Sequence, residues 1–65
     1  MKRNEFLKHL NQNNCTLYRE GGKHSVYINN ANNKRITVPR HNELHNDFCK
    51  EMCKQLGINI IGKKG

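Results

Sequence analysis

The sequence has no tryptophan, one proline, two phenylalanines and two tyrosines. Apolar residues make up 34% of it and form no run near the roughly 20 residues a membrane-spanning helix needs. A helical span is excluded, and no membrane partner is expected. The opening Met1-Lys2-Arg3-Asn4-Glu5 leads into an amphipathic pattern rather than an apolar one, so no secretory signal is expected there. Acidic residues are scarce as well: five stand against 12 Lys and Arg, for a net charge of +7 and a sequence pI near 9.7. An excess of this size in a small domain points to a polyanion, and to nucleic acid in particular. The helices lack the broad, Lys-flanked apolar face that an anionic membrane would select, and solubility alone is the plainer alternative.

Other absences narrow the chemistry. Cys15, Cys49 and Cys53 are an odd number without the spacing of a disulfide framework, which points to a reducing, cytoplasmic setting. Cys49 and Cys53 stand four apart on one face of an expected helix. A metal site there would have to recruit a histidine, and no CxxC motif accompanies the pair. They are read as small core residues, and neither metal nor small-molecule cofactor is expected. Paired carboxylates, a nucleotide-binding glycine loop and a Ser-His-Asp arrangement are also missing.

With 65 residues the chain is one small domain, read as 1–61 followed by a disordered tail at 62–65. Its core is thin, and a partner is expected to complete it. From Asn4 to Asn13, Phe6, Leu7 and Leu10 lay one apolar stripe on a helix that Asn4 would cap and the Asn11–Asn14 run would end. Cys15 to Arg19 alternates as a strand, with Cys15 and Leu17 on one face and Thr16 and Tyr18 on the other. Glu20-Gly21-Gly22 is a turn in which glycine permits positive φ. Lys23 to Asn29 is a second strand, with His24, Val26 and Ile28 expected on the core face and Ser25 and Tyr27 opposite. The run from Asn30 to Asn33 reads as a hairpin connection and nothing more.

Lys34 to Val38 is a third strand, with Ile36 and Val38 inward, Arg35 and Thr37 outward, and Pro39 ending it. After a link over 40–44, Phe48, Cys49, Met52, Cys53 and Leu56 form the stripe of a second helix, starting between Leu44 and Asp47 and stopping at Gly57. Ile58, Ile60 and Ile61 fold back on the core or add an edge strand. The sum is an α+β fold in the order α-β-β-β-α, a three-stranded antiparallel sheet with both helices on one face. That is the layout of the double-stranded RNA-binding fold. The open face is expected to carry Tyr18, Tyr27, Ser25, Arg35 and Thr37. The two tyrosines either stack on bases or pack against cross-strand neighbours.

The stretch Gly21-Gly22-Lys23-His24 holds the best candidate for chemistry. Imidazole exchanges protons near neutrality, with an unperturbed pKa of ~6.5. RNA is cleaved without metal when a base takes the 2′-hydroxyl proton and positive charge or N–H donors meet the phosphate oxygens. Gly22 would let the backbone approach a phosphate, while Lys23, Arg35 and Arg40 would supply charge. A histidine beside a glycine turn is otherwise a surface residue, or here the end of a core-facing row. His9 decorates the first helix. His41 and His45 lie near Arg40, and His41 is a candidate phosphate contact or second acid/base group.

Together these segments resemble the HicA toxins, the small messenger-RNA-cleaving members of HicA–HicB toxin–antitoxin pairs. The resemblance lies in the Phe6-Leu7-Lys8 helix, Gly22-Lys23-His24 leading to Tyr27, and the Ile36-Thr37-Val38-Pro39 strand. It continues through the His41–Leu44 link and the closing Gln55-Leu56-Gly57-Ile58. It implies a double-stranded RNA-binding-like fold and an endoribonuclease that cleaves mRNA and halts translation. It also implies a HicB-type antitoxin that covers the active site, and a single catalytic histidine at His24, with Gly22 and Tyr27 matching. The chain departs from the family in two places: Lys23 stands where a small residue, often Ser, is usual, and Asp47-Phe48 where Gly-Thr is common. The alternatives are a non-catalytic small RNA-binding domain and an inactive relative that only completes an antitoxin complex.

Overall fold

The computed structural model describes residues 1–60; Ile61 and the tail expected at 62–65 lie outside the described residues. The element order is α1 (Arg3–Gln12), β1 (Cys15–Glu20), β2 (His24–Asn29), β3 (Arg35–Pro39) and α2 (Asn46–Leu56). The strands form one antiparallel sheet in the order β1-β2-β3. This is the expected α-β-β-β-α order of an α+β fold.

α1 buries Phe6 and Leu10, one helical turn apart, and leaves Leu7 half-buried against the core. Its start is not at Asn4. Lys2 is the extended N-cap residue and makes no side-chain cap bond. Lys2 forms an isolated antiparallel bridge with Glu43, and the Arg3 N–H donates to Asn42 O at 2.8 Å. A tertiary contact with the 40–44 link therefore satisfies a helix-start donor that a cap would otherwise serve. At the far end Asn14 takes φ 66°, the left-handed conformation anticipated for the Asn run.

α2 buries Cys49, Cys53 and Leu56, with Phe48 and Met52 half-buried beside them. Asp47 lies in its first turn and Gly57 closes it at φ 76°. The Gly57 N–H donates to Lys54 O at 3.1 Å and the Ile58 N–H to Cys53 O at 2.9 Å, the paired bonds of a Schellman motif. Ile58 then packs on the core, whereas Ile60 is exposed and belongs to no strand.

The sheet differs from expectation in the facing of β2. Ser25, Tyr27 and Asn29 are the buried residues, and His24, Val26 and Ile28 lie on the open face. The register explains why. Ser25 pairs with Val38, Tyr27 with Ile36 and Asn29 with Cys15, all on the side covered by the helices. Burying two polar side chains costs little here, because each is hydrogen-bonded, Ser25 to Arg3 and Glu20 and Asn29 to the end of α2. Asn29 Nδ2 donates to Leu56 O at 2.8 Å, and Asn32 Nδ2 reaches the same carbonyl at 3.0 Å. The Asn-rich hairpin is thus more than a turn: it caps the end of α2.

β3 follows its pattern, with Ile36 and Val38 buried and Arg35 and Thr37 exposed. β1 departs from its own. Leu17 pairs with Tyr27 and Arg19 with Val26, which leaves Tyr18 as the extra residue of a bulge. Cys15 is fully buried, but Leu17 is 47% and Tyr18 53% exposed on this edge strand. Among the described residues no helix is long and apolar enough to cross a membrane.

Candidate active-site cleft

The β1–β2 turn delivers His24 to the first position of β2, on the open face and exposed to solvent. The turn is closed by the Gly21 N–H, which donates to the His24 carbonyl at 2.8 Å. Glycine at 21 serves that close approach: a Cβ there would sit 3.0 Å from His24 O. Positive φ is not involved, because among the described residues Gly57 is the only glycine with it. Gly22 faces open space, and a Cβ on it would meet nothing within 4 Å.

On the other side His24 pairs with Pro39, the last residue of β3. The chain beyond Pro39 therefore runs past the turn. Together they form a cleft of about 400 Å³ lined by Gly22, Lys23, His24, Pro39, Arg40 and His41. The fold thus brings five expected site residues together from two segments. Tyr27 is 8% exposed on the opposite, core face, so the expectation that it contacts RNA from the open surface is corrected. Arg35 shares the open face with His24 but lies elsewhere on it, its guanidinium 4.8 Å from the Tyr18 ring centroid.

Beneath the cleft runs a polar network that sequence reasoning missed. Arg3 Nε donates to Pro39 O at 2.8 Å, and Arg3 Nη2 donates to Ser25 Oγ at 3.0 Å. Ser25 Oγ in turn donates to Glu20 Oε1 at 3.0 Å. Glu20 Oε1 also accepts from Arg40 Nη2, which forms an ion pair with it and donates to Gly21 O at 3.0 Å. The first turn of α1, both ends of the glycine turn and the end of β3 are thereby tied to one another. No local signal marks this network, because it exists only when Ser25 faces inward and α1 docks across the sheet end.

The remaining histidines sit elsewhere. His9 Nε2 hydrogen-bonds with Asn59 O at 2.6 Å, and His45 is the residue preceding α2. A spacing of four separates His41 from His45 and also Cys49 from Cys53. The two histidines are exposed while the cysteines are buried. Among the described residues no group of three or more His, Cys, Asp or Glu side chains could hold a metal ion. Burial pushes the Cys15 and Cys49 thiols above their ordinary pKa, with Cys53 adding to the rise.

The family model described as HicA toxin of bacterial toxin-antitoxin matches residues 3–58, from the start of α1 to the residue after Gly57. No curated protein and no solved structure matches the chain.

Proposed function

The chain belongs to the HicA toxin family of bacterial toxin–antitoxin systems, and we propose that its toxicity comes from metal-independent endoribonucleolytic cleavage of messenger RNA in the cytoplasm. The observation that carries this reading is the cleft itself. An exposed imidazole stands beside a glycine turn, with Lys23, Arg40 and His41 around it. His24 acts as the general base: it takes the 2′-hydroxyl proton, and the freed oxygen attacks the adjacent phosphorus. The bond from phosphorus to the 5′ oxygen breaks, leaving a 2′,3′-cyclic phosphate, and the departing oxygen receives a proton from the imidazolium or from water. Lys23, Arg40 and His41 hold the phosphate while the backbone at Gly22 lies open to it.

Loss of intact message halts translation. A toxin of this kind needs an antitoxin, and the proposed arrangement has a HicB-type antitoxin covering His24, which is open in the free chain. The deciding experiment is induced expression of wild type beside His24→Ala, reading growth and RNA integrity together. Wild type should arrest growth and shorten messages. The variant should do neither while keeping its fold, with cleavage down by about 10²–10⁴ in vitro. A folded His24→Ala protein that still cleaves RNA sinks the assignment. Wild-type cleavage should also persist in EDTA, and its complete loss there would replace this mechanism with a metal-dependent one.

A further inference from the structure

The structure separates the cationic residues of the open face into two places. One is the His24 cleft. The other lies farther along the sheet, where Arg35 sits over the ring of Tyr18 at 4.8 Å. We infer that Tyr18 and Arg35 form a second subsite, which stacks an unpaired base of single-stranded RNA on the strand that runs from the His24 cleft. The inference rests on reading the chain as a protein that acts on RNA.

Four features carry it. First, both side chains are exposed, and Tyr18 is 53% so, although an edge-strand tyrosine would normally bury its ring where it could. Alternation from Leu17, which pairs with core-facing Tyr27, puts Tyr18 on the open side, and the bulge adds Arg19 to that side by pairing it with Val26. Second, an arginine plane beside an aromatic ring is the surface on which bases stack, through π contact and through the cation.

Third, the floor between the two places is continuous. His24, Val26 and Ile28 alternate along the open face of β2, and Ile28 pairs with Arg35 just as His24 pairs with Pro39. The two pairs lie four residue steps apart along β2, about 13 Å at the usual rise. Fourth, the face is complementary to a polyanion. Arg19 and Arg35 lie on it, while Glu5, Asp47 and Glu51 are on the helices, Glu43 is in the link and Glu20 pairs with Ser25 on the core side.

The subsite makes a specific demand on the ligand. Stacking needs a base whose π-face is free, so the interaction is available in single strands and closed in a duplex. It touches no reacting atom, so it contributes to binding and not to the chemical step.

The test is equilibrium binding of a 12-nucleotide single-stranded RNA, and of the same sequence as a blunt duplex, to full-length protein carrying His24→Ala to prevent turnover. Adding Tyr18→Ala should weaken single-strand binding about fivefold or more, Tyr18→Phe should stay within about twofold, and duplex binding should be unmoved by either. Arg35→Ala should weaken the single strand as Tyr18→Ala does. In the His24 background, Tyr18→Ala should raise KM with kcat unchanged. Unchanged single-strand affinity in a folded Tyr18→Ala protein overturns the inference, as does an equal loss on duplex. Because the binding arm needs no cleavage, a failure of the ribonuclease reading shows separately, as wild-type protein that binds RNA without shortening it.

Discussion

Arg3 Nη2 donates to Ser25 Oγ at 3.0 Å, joining the first turn of α1 to the second residue of β2, right behind His24. Ser25 is 1% exposed, and its hydroxyl in turn donates a hydrogen bond to Glu20 Oε1. A buried serine in this position matters because each neighbour is charged and has few other partners.

Ser25→Ala should therefore destabilise the fold by about 1–3 kcal/mol, since it leaves Arg3 and Glu20 short of a partner in a partly buried setting. Urea unfolding would measure this. An unchanged midpoint would show that water replaces the hydroxyl without loss. RNA cleavage should fall as well, through looser placement of the glycine turn.

Lys23 and Arg40 border the cleft in different ways. Lys23 is exposed and makes no side-chain hydrogen bond or ion pair among the described residues, whereas Arg40 is tied to Glu20 and to the Gly21 carbonyl. Lys23→Ser should lower RNA affinity across all sequences and reduce the salt slope of binding by about one. Arg40→Ala should do the same and, in addition, lower kcat, because the turn loses its anchor. Binding titrations at several salt concentrations would separate a phosphate contact from a side chain that never meets RNA, for which the slope would not change.

Cys15 and Cys49 are fully buried with raised thiol pKa values. The folded state thus favours the protonated thiol. Stability from this source is fully present below the ordinary thiol pKa. It declines as pH rises past that value, because the unfolded chain then loses protons that the fold retains. Urea midpoints taken under reductant should drop between about pH 7 and about pH 10, with the thiol pKa inside that window. A thiol reagent should label the native protein far more slowly than the unfolded chain.

Gly57 closes α2 at φ 76°, and a Cβ there would lie 3.2 Å from Asn32 Nδ2, which itself bonds Leu56 O. Gly57→Ala should cost about 1–2 kcal/mol in thermal or urea unfolding, from the left-handed backbone alone. A larger loss would show that the Asn32 bond to Leu56 breaks too.

Much of the fold was legible because the patterns are local. Phe6 with Leu10 and Cys49 with Cys53 and Leu56 mark helical stripes, and Gly57 marks a stop whose conformation other residues resist. The cleft was legible in part. Lys23 and His24 are neighbours in sequence, but Arg40 and His41 join them only through the pairing of His24 with Pro39. The pattern misplaces Tyr27 and Ser25 and gives no sign of the roles of Arg3 and Glu20, for one shared reason.

That reason is the facing of β2. By itself the sequence determined that Ser25, Tyr27 and Asn29 share one face of the strand and His24, Val26 and Ile28 the other, because side chains alternate along any strand. Hydrophobicity favoured Val26 and Ile28 for the core. Only the tertiary structure decided otherwise. Register set Tyr27 against Ile36 beneath the helices, while Arg3 with Glu20, and the Leu56 carbonyl, supplied the hydrogen bonds that let Ser25 and Asn29 be buried. Those partners come from distant parts of the chain, and so the choice that leaves His24 open to solvent is made by docking and not by pattern.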